Sequence, residues 1–317
     1  MRAALIVGPH RVRIEDVPLP APKPTEVRIR VEGCGVCASN LGPWDGLPWI
    51  RYPLAPGNPG HEAWGTIDCV GEAVTSCRRD DRVAILSAHG YAEFDIARAD
   101  QVVPLPRFLD GQAFPGEALG CAMNIFRRAE IRRGDTVAIV GIGFLGAALT
   151  RLSKHAGARV IAISRRPYAR ELGKRCGADA VLDSSDPGAV AASVAEITGE
   201  LGCERVIEAA GKQETLDLAT QLTQEHGRLI IAGYHQDGPR MVNMQLWNWR
   251  GLDVINAHER NPAVVVGGIR AAITAVEEKV LDPRLLLTHS FSLEQLGEAL
   301  AATAARPDGF LKATVTL

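Results

Sequence analysis

Along the first third of the chain, apolar and polar residues alternate in short segments. AALIV, RVRIEDV, EVRIRVEG, WGTIDCVG, DRVAIL and AEFDIA follow one another up to about Pro106, punctuated by Pro and Gly. A period of two over so few residues predicts half-buried strands, and hence a β-rich region. From about Ala113 the pattern changes to continuous apolar runs separated by helix-length segments: TVAIV, RVIAIS, AVLD, RVIEA, RLIIAG and LDVINA. Runs of that kind are strands buried on both faces, which predicts a doubly wound parallel sheet covered by helices. Pro262 to Val280 predicts a helix, and the final FLKATVTL alternates like a strand that could return to the first domain. The expected fold is therefore α/β, with a β-rich domain over 1–117, a parallel-sheet domain over 118–261 and a C-terminal return over 262–317. Leu41 to Pro59 lacks periodicity and reads as a functional or partner-contacting loop.

Composition narrows the functional classes. The chain has 317 residues, 46% of them hydrophobic, with 35 Lys and Arg against 37 Asp and Glu. That balance excludes disorder as the main state and offers no basic excess for nucleic acid. Seven cysteines, at 34, 37, 69, 77, 121, 176 and 203, are odd in number and scattered, which predicts reduced thiols and a cytoplasmic setting. No apolar run approaches the roughly 18 residues of a membrane span, and no export segment is expected at the N-terminus.

TVAIV leads directly into Gly141-Ile142-Gly143-Phe144-Leu145-Gly146 and then a segment with helical spacing. A G-x-G-x-x-G between strand and helix predicts a dinucleotide site: the first glycine for the turn, the second for close approach of pyrophosphate, the third for helix packing. The next strand ends at Ser164-Arg165-Arg166, where a carboxylate for ribose hydroxyls would otherwise stand. Ser164 and Arg165, with Arg170 a turn further on, suit a 2′-phosphate, so NADP(H) is preferred and NAD(H) possible. Gly233, which ends RLIIAG, and Tyr234 complete the cofactor-binding set. The polar insert from Gly233 to Gly238 suggests selection of a hydroxyl-rich ligand. Trp44, Trp49, Trp247 and Trp249 are candidate flat surfaces for a sugar ring, with core or subunit-interface packing as the alternative.

Cys34-Gly35-Val36-Cys37 is an isolated CxxC, but Gly60-His61-Glu62 follows 24 residues after Cys37. A thiolate, an imidazole and one or two carboxylates make an open catalytic zinc set. GCGVCASN, PGNPGHEAWGTIDCVGEAV, DDRVAIL, GYAEF and GIGFLG, in that order, resemble the zinc-dependent medium-chain dehydrogenases/reductases, the alcohol and polyol dehydrogenase family, over essentially the whole chain. The resemblance implies a GroES-like catalytic domain, a Rossmann domain, an active-site cleft between them and a homodimer or homotetramer. It implies one catalytic zinc held by Cys37, His61, Glu62 and Glu117, with Cys121 the rival of Glu117. It also implies hydride transfer between a nicotinamide and a secondary alcohol or ketone, a polyol, cyclitol or sugar derivative, with Ser39 accepting the hydroxyl proton.

Three departures stand out. The structural zinc lobe of the family is reduced to Ser87-Ala88-His89, Asn40 replaces an aspartate expected to accept from His61, and position 42 is Gly rather than a relay histidine. A zinc-free quinone or enoyl reductase of the same fold, and a non-catalytic NADP(H)-binding redox sensor, are the alternatives.

Overall fold

The computed structural model describes all 317 residues as two compact units, Met1–Gly120 with Arg260–Leu317, and Cys121–Glu259. The first unit is built on a mainly antiparallel sheet centred on the strand Glu26–Gly35, which pairs with Glu62–Val70, Phe94–Arg98 and the terminal strand Ala313–Thr316. The tail thus does return to the β-rich domain. It places Val315 opposite Cys34, and Ala313 and Val315 join Ile29, Val31, Ile67, Val83, Ile85 and Phe310 in the core. Alternation explains the arrangement, since along the central strand one face is buried while the other carries the arginines and glutamates of EVRIRVEG.

In the second unit six parallel strands run in the spatial order Ala180–Leu182, Arg159–Ile163, Thr136–Val140, Cys203–Glu208, Thr223–Ile231 and Asp253–Asn256. Numbered along the chain this is 3-2-1-4-5-6, the Rossmann order, whose reversal falls between Thr136–Val140 and Cys203–Glu208. Val137 to Val140 and Val160 to Ile163 are almost fully buried, as expected for strands covered on both faces. Each such Val or Ile contributes about 1.5–3 kcal/mol relative to exposure. The register sets Val140 opposite both Ile163 and Glu208, so the Gly141 turn emerges beside Ser164 on one flank and Ala209 on the other.

The helix Pro262–Glu277 forms where periodicity placed it, with Asn261 capping its first turn through Ala263 N. No helix of the chain is long and apolar enough to cross a membrane. The loop after Leu41 starts with a short helix, Leu41–Asp45, whose Trp44 is only 5% exposed.

Candidate metal and cofactor sites

Cys37 follows the strand Glu26–Gly35, and His61 immediately precedes the strand Glu62–Val70. Because these strands are antiparallel with Gly35 opposite Glu62, residues far apart in sequence meet at one sheet end. Ligand atoms of Cys37, His61 and Glu62 all lie within 4.8 Å of one another. His61 Nδ1 is 2.9 Å from Pro59 O, which fixes its proton there and leaves the Nε2 lone pair for a metal. Burial alone would lower the His61 pKa. The hydrogen bond to Cys37 and the charges of Cys37, Glu117 and Glu62 outweigh it and raise the value to about 10. A concentration of negative charge strong enough to do this is an environment matched to a divalent cation.

Asn40 does not act as the expected acceptor for His61. Its Oδ1 accepts from Cys37 N at 3.0 Å and from the buried Tyr91 hydroxyl at 2.8 Å, which fixes the amide orientation and turns Nδ2 toward Pro59 O. The carbonyl of Pro59 therefore orients the imidazole, while Asn40 shapes the Cys37 turn.

Glu62 has a partner that the sequence reading missed. Lys312, 5% exposed, donates to Glu62 Oε1 at 2.8 Å and to Val36 O at 3.2 Å, with Oε2 2.7 Å away. Oε2 has the ionic contact but no aligned hydrogen-bond donor, so a buried acceptor remains for a cation. Gly35 makes room for this carboxylate, because a Cβ there would overlap Glu62 Oε2. The missed signal was a lysine in an alternating apolar tail, which by default belongs on a solvated face.

Glu117, half-buried in the first turn of the helix Gly116–Ala129, acts electrostatically on both His61 and Lys312. Cys121 lies in the other compact unit. Ser39 is half-buried on the single turn Ala38–Asn40, two residues beyond Cys37. Ser87 donates to the buried Asp95, and His89 Nδ1 lies 2.9 Å from Pro56 O.

At the glycine turn, Gly141 has φ +103°, a conformation that disfavours any side chain. A Cβ on Gly146 would overlap Gly141 O, whereas one on Gly143 would meet nothing within 4 Å, so open space lies before the N-terminus of the helix Phe144–His155. No side chain caps that helix, which leaves its dipole directed at the open space bordered by Gly143, Phe144 and Leu145. Ser164 is 8% exposed and Arg165 is exposed. Arg170 pairs with Asp183 at 2.8 Å and donates to Arg165 O at 2.6 Å, so its Nη1 stabilises this loop.

Other sequence expectations need correction. In the polar insert, His235 bonds to Glu208 and Arg240, and Asp237 bonds to Arg240 and Lys212. These groups bond to one another, with Asp237 and Lys212 still partly exposed at the loop surface. Trp44 packs edge-on against His10, and Trp247 donates to Thr220 Oγ1 at 3.1 Å, so both are structural. Trp49 and Trp249 are 65% and 85% exposed. Gly233 is buried, and Tyr234 stands exposed beside the ring of His258.

Residues 23–107 match the alcohol dehydrogenase GroES-like domain and residues 145–273 the zinc-binding dehydrogenase family. The chain is 24% identical over 328 residues to the sorbitol dehydrogenase of Halalkalibacterium halodurans, covering 93% of each protein. It is 30% identical over 236 residues to the quinone oxidoreductase of Rattus norvegicus, covering 71% of this chain and 70% of that one. With alcohol dehydrogenase notN of an Aspergillus species it shares 32% identity over 209 residues, 56% of this chain and 60% of that one. The 2R,3R-butanediol dehydrogenase of Bacillus subtilis superposes with a TM-score of 0.86 at 23% identity, over 100% of this chain and 99% of that one. The chain belongs to the zinc-binding medium-chain alcohol dehydrogenase family of oxidoreductases.

Proposed function

We propose that the chain is a zinc-dependent, NADP(H)-preferring dehydrogenase that moves hydride between the cofactor and a secondary alcohol or ketone, with polyols, cyclitols or sugar derivatives as substrates. The observation that carries this reading is the meeting of Cys37, His61 and Glu62 donor atoms within 4.8 Å, beside the charge of Glu117. Cys37 and His61 hold the metal, Glu117 is favoured over Cys121 as the further ligand, and Glu62 stands by as a carboxylate shared with Lys312. Zinc in such a site supplies Lewis acidity that lowers the pKa of a substrate hydroxyl. Ser39, half-buried two residues beyond Cys37, would accept the hydroxyl proton, and a nicotinamide bound at the glycine turn would supply the hydride acceptor or donor. The sorbitol dehydrogenase relative supports the polyol class. Ser164 with the exposed Arg165, and the absence of a carboxylate at that strand end, support NADP(H).

The quinone oxidoreductase relative favours a second reading, hydride addition to a quinone or enone. Steady-state rates with polyols, ketones, quinones and enones against both cofactors separate the two. Turnover of polyols with NADP supports the first reading, and NADPH oxidation by quinones alone overturns it. Seven free cysteines support a cytoplasmic setting. A homodimer or homotetramer is supported by the exposed Trp249, Met241 and Met244 and by the edge strand Asp253–Asn256, which pairs on one side only. Sedimentation of the wild type and Trp249→Glu tests it, with a monomeric wild type contradicting the assignment.

A further inference from the structure

Glu208 ends the strand next to the glycine turn and is fully buried, and its donors come from two loops and from Thr215 in the first turn of the helix Gln213–Leu222. Its Oε1 accepts from Ala210 N at 2.8 Å, Gly211 N at 2.8 Å and Thr215 Oγ1 at 2.7 Å. Its Oε2 lies 3.0 Å from His235 Nε2. Arg240 Nε donates to His235 Nδ1 at 2.9 Å, so the ring proton must be on Nε2 and the imidazole donates to Glu208 as a neutral group. Arg240 also donates to Gly211 O at 3.1 Å and bonds Asp237, which in turn meets Lys212 Nζ at 3.2 Å.

The two loops, 209–212 and 233–240, therefore share one network at the carboxyl ends of the fourth and fifth strands, buried at Glu208 and partly exposed at Asp237 and Lys212. They also pack backbone on backbone. A Cβ on Gly233 would overlap Gly211 N, and one on Gly211 would approach Tyr234 O to 2.7 Å. The contact continues to the glycine turn, where a Cβ on Gly141 would come within 2.9 Å of Ala210 Cβ. From the next strand, His258 Nε2 reaches Gly233 O at 3.2 Å.

We propose that Glu208, His235 and Arg240 form a positioning latch that holds these loops in the shape required by the nicotinamide half of the cofactor. The assignment of halves follows from the strand order. Ser164 and Arg165, at the end of the second strand, serve the adenosine half, and a dinucleotide lying across the switch point reaches the fourth and fifth strands with its other half. The latch touches no reacting atom and acts only through the loops. It rests on the dinucleotide-binding reading above.

Equilibrium binding to purified protein, without substrate, tests it with two probes: NADPH, and 2′,5′-ADP as the adenosine half alone. His235→Leu leaves Glu208 Oε2 without a donor and Arg240 Nε without an acceptor. It is expected to weaken NADPH about tenfold while changing 2′,5′-ADP affinity less than about twofold. His235→Gln, whose amide N–H can still donate to Glu208, is expected to recover most of the NADPH affinity. Equal loss of both probes in His235→Leu marks a general structural role and overturns the latch, as does unchanged NADPH binding. A wild type that binds neither these probes nor NADH overturns the dinucleotide reading itself, a result distinct from either failure of the latch.

Discussion

Replacing Lys312 with Met tests the buried charge pair beneath the candidate metal site. Lys312 and Glu62 are 5% and 1% exposed, and Nζ lies 2.7–2.8 Å from both carboxylate oxygens. Met matches the length of the aliphatic stem but leaves Glu62 as an uncompensated buried carboxylate, and it removes the tie to Val36 O beside the Cys37 turn. Breaking such a pair from one side costs about 3–5 kcal/mol. With about 2–4 °C per kcal/mol for a unit of 150–250 residues, the melting temperature should fall by roughly 6–20 °C. The double variant Lys312→Met, Glu62→Gln removes both charges and should recover at least half of that loss, because the largest penalty is desolvation of the lone carboxylate. Calorimetry of the four proteins of this cycle gives the coupling directly. A loss below about 1 kcal/mol in Lys312→Met, or a double variant no more stable than the single, would refute the reasoning.

Three further predictions follow from the same contacts. Gly35→Ala puts a methyl group onto Glu62 Oε2 and should displace the carboxylate, lowering metal affinity by about tenfold or more, read by competition with a chromophoric chelator. Asp237 is held down to about 2 by its bonds to Arg240 and Lys212, against an ordinary 3.8. Its contribution should be complete above about pH 4 and vanish as pH falls through about 2, so wild type and Asp237→Asn should converge in stability there, and a constant gap down to pH 2 would contradict the pairing. Burial pushes the thiols of Cys34 and Cys176 up and that of Cys203 up to about 12, so alkylation of the native protein followed by mass mapping should leave these three buried thiols unmodified, and their modification under native conditions would contradict the burial.

The parallel sheet was legible because strands buried on both faces must be apolar throughout, and TVAIV or RLIIAG can hardly be anything else once helices flank them. The terminal strand was legible from its period of two. Short pieces such as Val102–Pro104 and His289–Ser292 were not, since a few residues carry no measurable period. At the candidate site, spacing and resemblance nominated Cys37, His61 and Glu62, because strand pairing brings a CxxC end and a strand start together. Lys312 escaped because its role exists only in the fold: a lysine 250 residues from Glu62 gains its meaning when the tail strand docks. Asn40 was assigned the wrong partner for a similar reason. Residue type gave its bonding capacity, but the direction of its amide was set by Cys37 N and Tyr91, neither of which a linear reading could rank above His61.

The central claim, a metal centre built by Cys37 and His61, is tested most directly by elemental analysis of protein expressed with supplemental zinc. The wild type should carry about one zinc per chain, as should Cys121→Ser, whereas Cys37→Ala with His61→Ala should carry almost none and Glu117→Ala markedly less than wild type. Wild-type protein without zinc under these conditions, or a double variant that retains it, would contradict the account.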